Sequence, residues 1–296
     1  MNKKNCLLLL VYLFSSVSMA GDISTTDDRG KIISLETPAK RIISLSPHTT
    51  EMLFSAGAGQ FIIGRDKFSN YPRSAESIPI VGDIVNLDYE SILVANPDLI
   101  VMWATGGNSR IINKLESYGF VVFASDPKTV EDIPNTIHKL SRLTANPAVS
   151  SSTNQKMEEF RNGFSLLKKR YGDKNKVRVF YQVWNRPLYT LNGNHLTSQI
   201  ISMCGGINVF SDLFQLAPTV SVEAVLKVNP DVIISGQEHP HEQILTQWQK
   251  YTFMSAVHRE NIYSVDADLL QRPTLRLLEG ATELCDYVEM ARKKLN

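Results

Sequence analysis

Residues 89–101 read YESILVANPDLIV, and residues 222–234 read VEAVLKVNPDVII. Each passes from a helix-like phrase through Asn-Pro-Asp into a short apolar run, at a fixed offset of 133 residues. The local grammar is the same in both. Asp88 and Ser221 are residue types that cap helix N-termini. Glu90 and Glu223 fall in the first turn, where the helix dipole favours an acid, and Pro97 and Pro230 end the helices. The apolar runs that follow read as buried parallel strands. Two such blocks predict two lobes of like topology, one in each half of the chain.

The rest of the pattern agrees. In the first half the strand candidates are RIISLSP (41–47), FIIGRDKF (61–68), LIVMW (99–103) and VVFASD (121–126). In the second half they are VRVFYQVW (177–184), DVIISG (231–236) and NIYSVDAD (261–268). Helical stretches such as TTEMLFSAGAG, SRIINKLESYG and TSQIISMCGG alternate with them and close on glycine. Alternation of this kind gives parallel sheets with crossover helices. Ahead of them, DISTTDDRGKIISLETPAKR carries an Asp-Asp-Arg-Gly turn between apolar runs and reads as a β-hairpin. Between the halves, Met157, Phe160, Phe164, Leu167 and Tyr171 recur at spacings of three or four, an apolar stripe opposite charges. That segment, 145–176, predicts one helix of about 25 residues, roughly 37 Å long. The expected fold is therefore α/β: two Rossmann-like lobes, 21–144 and 177–296, joined by a stiff backbone helix with a ligand cleft between them.

The first twenty residues stand apart. Lys3 and Lys4, the apolar CLLLLVYLF and the small residues around Ser18-Met19-Ala20 make a secretory signal peptide over 1–20. The apolar stretch is too short for a membrane span, which needs about 20 residues. Without it the chain keeps 29 basic and 30 acidic side chains, a balance that argues against nucleic acid and polybasic membrane binding. Export places Cys204 and Cys285 in an oxidising compartment. They are read either as a bridge closing an 81-residue loop, contributing on the order of 4 kcal/mol, or as two buried thiols. No Cys/His spacing suggests zinc, and His239 and His241 in EHPHE read as surface residues of a proline-broken loop.

In open α/β sheets, ligands sit beyond the carboxyl ends of the strands. Those ends offer Ser46, His48, Phe68, Tyr71, Trp103 with Thr105 to Asn108, and Asp126 from the first lobe. The second contributes Trp184, Tyr189, Gln237, Asp268 and Arg272. A lining both aromatic and polar, with few charges, suits a large flat ligand bearing amide or hydroxyl groups. Blander readings stand beside these: Trp103 as a strand plug, Tyr71 as a turn residue before Pro72, His48 as a solvated first-turn residue, Asp268 and Arg272 as a local ion pair. Nucleophile-elbow, zincin and phosphate-loop signatures are all absent from the sequence. The glycines of GAGQFIIG precede a strand, where a dinucleotide fingerprint must follow one. Glu90 and Glu223 put matching carboxylates on both lobes, a grip for a partner with two basic patches such as a symmetric membrane dimer.

RIISLSPHTTEMLFSAGAG, FSNYP, YESILVANPDLIVMWATGGN, VFYQVW, CGGINVF, APTVSVEAVLKVNPDVII and QRPTLRLLEGATELC resemble the periplasmic cobalamin-binding proteins of ABC importers. These belong to the helical-backbone group of solute-binding proteins that also capture siderophores and haem. The resemblance implies a periplasmic monomer that carries cobalamin (vitamin B12) or a related corrinoid as cargo, with no cofactor and no catalysis. It implies corrin contacts at Tyr71 and Trp103, polar contacts at Asp268 and Arg272, docking of Glu90 and Glu223 on arginines of a permease dimer, and a Cys204–Cys285 disulfide. Two family aromatics are replaced here, by Ile84 and Ala217, and Phe68, Trp184 or Tyr189 are the candidates to stand in for them. Within the same class the alternative cargo is haem, with His48 or Tyr71 as axial ligand, or a ferric siderophore held by Arg272 and Arg65. A periplasmic α/β enzyme is the third reading and requires a titratable pair in the cleft.

Overall fold

The computed structural model describes residues 23–105, 108–144, 151–236 and 246–295. The predicted signal peptide, Gln237, His239 and His241 lie outside them. Two four-stranded parallel sheets form the framework. In the first lobe β3 (Ile42–Ser44), β4 (Ile62–Arg65), β5 (Leu99–Trp103) and β6 (Val122–Ser125) pair in the order β4-β3-β5-β6. In the second, β7 (Val177–Gln182), β10 (Gly206–Asn208), β11 (Val232–Ser235) and β12 (Ile262–Ser264) pair in the order β10-β7-β11-β12. Within its own lobe each sheet reads second, first, third, fourth. The two lobes therefore share one topology. A hairpin of β1 (Ile23–Thr26) and β2 (Ile32–Leu35) precedes them, turning through Asp27 to Gly30.

The repeated block has a structural explanation in both lobes. The helix Tyr89–Ala95 is capped by Asp88, which accepts from Ser91 N, and the helix Val222–Val228 by Ser221, which accepts from Ala224 N. The helices stop one residue earlier than proline requires. Asn96 and Asn229 adopt left-handed φ of 43° and 42°, a conformation that among non-glycine residues asparagine tolerates best. The aspartate then takes the start of the neighbouring strand. Asp98 Oδ2 accepts from Lys40 N and Arg41 N, and Asp231 Oδ2 from Arg178 N. Arg41 returns its guanidinium to the Ala95 carbonyl, and Arg178 to the carbonyls of Val228 and Asn229. Cations at the last carbonyls of a helix satisfy orphan acceptors and meet the negative end of its dipole.

The connecting helix runs over Ser151–Tyr171, 21 residues, or roughly 32 Å at the α-helical rise. Residues 145–150 of the predicted segment lie outside the described residues. All five stripe residues, Met157, Phe160, Phe164, Leu167 and Tyr171, are buried. They belong to one apolar cluster that includes Ile42, Val101 and Phe123 of the first sheet and Val179, Tyr181 and Ile234 of the second. Gly163 lets the C-terminal helix Leu277–Leu295 approach, since a Cβ there would meet the Leu278 side chain. The Cys204–Cys285 disulfide ties that last helix to the helix Leu196–Met203, with 4.8 Å between Cα atoms.

Three local expectations are corrected. Gly206–Asn208 is an edge strand that no apolar run announced, because glycines lead into it. The run 177–184 breaks at Val183, and Trp184–Asn185 (β8) turns into a small antiparallel pair with Leu188–Tyr189 (β9). The run 261–268 stops at Ser264, because Asp266 caps a short helix over Ala267–Gln271 by accepting from Asp268 N.

Candidate functional site

A cleft of about 490 Å³ opens where the carboxyl ends of the two sheets face each other. Ser46, His48, Trp103, Thr105 and Asp126 line it from the first lobe. Trp184, Asn194, His195, Leu216, Asp268, Gln271 and Arg272 line it from the second. One indole comes from each lobe, Trp103 at 39% and Trp184 at 47% exposure, so large ring surface is left facing the gap.

Both indoles are held by their polar edges. Trp103 Nε1 donates to Asp126 Oδ1 at 3.3 Å, Thr105 Oγ1 donates to the same oxygen at 3.2 Å, and Asn108 Nδ2 donates to the Trp103 carbonyl at 2.9 Å. Trp184 Nε1 donates to the Arg186 carbonyl at 3.1 Å. His48 packs edge-on against Trp103, centroids 6.4 Å apart. It is a buried residue, not a solvated one, and its Nε2 is closed off from solvent without a hydrogen-bond partner. Burial lowers its pKa from 6.5 to about 4; Asp126 opposes the shift and Arg272 adds to it. His195, which the sequence reading passed over, caps the helix Leu196–Met203 by accepting at Nδ1 from Thr197 N. Burial, with help from Lys128, lowers it to about 4 as well. Both imidazoles are neutral at pH 7.

At one end of the cleft a polar cluster joins the lobes. Glu51, buried in the helix Pro47–Ser55, accepts from Arg276 Nε at 3.0 Å and Arg276 Nη2 at 2.9 Å. Arg272 Nη1 reaches the same carboxylate at 3.2 Å and Asn70 Oδ1 at 2.7 Å, while its Nη2 lies 2.7 Å from Asp268 Oδ1. Asp268 and Arg272 are thus a local ion pair and cleft residues at once. Glu51, Asn70 and Arg276 were missed from the sequence. Only the Arg272/Arg276 spacing of four on QRPTLR hinted at a shared face.

Phe68, Tyr71 and Tyr189 lie outside the set that lines this cleft. The Tyr71 ring sits under the Arg276 guanidinium, 3.9 Å from ring centroid to Cζ, and borders a separate hollow beyond the Glu51–Arg276 pair. Phe68 stands exposed on the rim loop, its amide donating to Asp66. Tyr189 is the strand partner of Trp184 and bridges to Thr219. Arg65 is buried, donates to the carbonyls of Asp66, Lys67 and Glu76, and is not part of the cleft lining. Glu90 and Glu223 are exposed in the first turns of their helices, away from the cleft. Among the described residues no cluster of His, Cys, Asp and Glu has the makings of a metal site, and no helix is long and apolar enough to cross a membrane.

The profile of the family described as "Periplasmic binding protein" matches residues 42–270. The chain belongs to that family. A vitamin B12-binding protein of Vibrio cholerae is 36% identical over 259 residues, 87% of this chain and 92% of the relative. One of Vibrio parahaemolyticus is 31% identical over 99% of this chain and 100% of its own. The crystal structure of the periplasmic vitamin B12 binding protein BtuF of Vibrio cholerae superposes with a TM-score of 0.78 at 35% identity, covering 86% of this chain and 99% of that one. The periplasmic heme-binding protein RhuT from Roseiflexus shares the fold, with a TM-score of 0.70 at 20% identity over 86% of this chain and 99% of that one.

The two desolvated imidazoles give a pH dependence. From about pH 6.5 down to 4 the unfolded chain takes up protons at His48 and His195 that the folded chain refuses, so stability falls as pH falls and the loss is complete below about 4. Each histidine contributes on the order of 3 kcal/mol to that loss. Urea denaturation at pH 7 and pH 4 should find a smaller drop in His48→Gln than in the native chain; equal drops would contradict the assignment.

Proposed function

We propose that this chain is a periplasmic solute-binding protein that captures cobalamin or a closely related corrinoid between its lobes and delivers it to an ABC importer. The observation that carries the proposal is the cleft wall: two half-exposed indoles, one per lobe, each held by its ring N–H, among hydroxyl, amide and paired charged groups. A corrin ring is broad, flat and apolar on its faces and carries amides around its edge, which matches stacking surface at the centre and hydrogen-bonding groups at the rim. The names of the relatives that align over most of the chain support the same cargo. Haem fits this cleft less well, because His48 Nε2 is shut away from solvent and Tyr71 is engaged by Arg276. Relatives described as binding proteins support capture over catalysis.

In this reading the chain works as a monomer with lobes 21–144 and 177–296 on a connector at 145–176, and residues 1–20 direct export. Trp103, Trp184, His48, Asp268 and Arg272 meet the ligand directly, with Phe68, Tyr71 and Tyr189 at the margin. Glu90 and Glu223 sit in equivalent, exposed first-turn positions of duplicated helices. That equivalence supports a paired contact with the two halves of a permease dimer.

Titration of the mature protein with cyanocobalamin should quench tryptophan fluorescence with Kd below about 1 µM, and Trp103→Ala should weaken binding by about tenfold or more. Tight binding of haemin with no response to cyanocobalamin would overturn the reading. The double variant Glu90→Lys/Glu223→Lys should still bind cyanocobalamin but lose uptake through the cognate importer; undiminished uptake would remove the docking role.

A further inference from the structure

The charged groups of the described cleft lining pair off. They are Asp126, Lys128, Asp268 and Arg272. Lys128 Nζ is 2.5 Å from Asp126 Oδ2, and Arg272 Nη2 is 2.7 Å from Asp268 Oδ1. Behind Arg272, Glu51 takes both that arginine and Arg276. Three cations thus face three carboxylates. The Lys128 pair is half open to water and therefore weak. The Glu51 cluster is not: side-chain exposure is 4% for Glu51, 12% for Arg272, and 22% for Asp268 and Arg276. Removing one member of such a cluster leaves an uncompensated charge with little water to screen it.

We propose that Glu51 is a specificity-determining residue: by engaging Arg272 and Arg276 across the lobes it keeps that end of the cleft electrically neutral, which selects flat macrocycles edged with amides over those edged with carboxylates. This deepens the corrinoid reading and rests on it. A carboxylate arriving at the rim must compete with Glu51 for guanidinium donors and sit near both Glu51 and Asp268. An amide donates and accepts there without that repulsion. Selectivity arises from a like charge placed against the wrong ligand as much as from contacts with the right one. Glu51 acts through the arginines, so it is a positioning residue as well.

The test is a ratio of affinities. Cyanocobalamin and its monocarboxylic acid, with one peripheral amide hydrolysed, are titrated against the native protein, Glu51→Gln and Asp268→Asn at low and high salt. The native protein should prefer the amide form by about tenfold at low salt, and Glu51→Gln should bring the ratio to about one, mainly by tightening the acid. High salt should weaken that gain, as expected for a contact that gathers charge. A folded Glu51→Gln protein with the native ratio overturns the inference while leaving the corrinoid reading intact. Should Glu51→Gln fail to fold, Asp268→Asn exposes the same cationic excess nearer the surface, and an unchanged ratio there overturns the inference equally. A native protein that binds neither corrinoid sinks the functional reading and this inference together.

Discussion

The burial of one connecting helix in an apolar cluster shared by both sheets is the constraint on which the rest depends. Phe160, Phe164 and their stripe partners sit in an apolar cluster continuous from Ile42 and Val101 of one lobe to Val179 and Ile234 of the other. Burying each such side chain stabilises the assembly by roughly 2 kcal/mol, and all of it is lost if the lobes swing apart about the connector. Close-packed interiors deform little before they come apart. The helix therefore acts as a strut, and the gap between the sheets is a dimension of the fold. The Glu51–Arg276 pair closes one end of that gap with a second, polar tie.

Much of this fold was legible because it is written twice. The Asn-Pro-Asp blocks lie at the same point of both sheets, and their neighbours follow the same strand order. The sequence did not disclose why the block has those letters. Arg41 and Arg178 sit 54 and 51 residues from the carbonyls they cap, and a contact made at that distance leaves no local trace. The strand at Gly206 escaped for a different reason. Its glycines carry no apolar signal, and it becomes a strand only because β7 offers it a partner.

The site was legible at its walls and illegible at its joints. Residues at strand ends, such as Trp103 and His48, follow from topology, since a parallel sheet delivers its carboxyl ends to one edge. The short helix that bears Asp268 does the same from β12. Glu51 offered no such clue. It lies 221 and 225 residues from its arginine partners and reads as one more polar residue on a helix. His48 looked like a solvated first-turn residue because sequence reveals a helix position without revealing what packs over it. His195 was hidden for the same reason, its capping role needing the third dimension to be seen.

A rigid strut fixes the cleft before any ligand arrives. Spin labels at Arg110→Cys and Gln215→Cys, one on each lobe, report the gap by pulsed dipolar spectroscopy. Adding cyanocobalamin should move the centre of the distance distribution by less than about 3 Å, far short of hinge closure. A shift of about 10 Å or more would contradict the account.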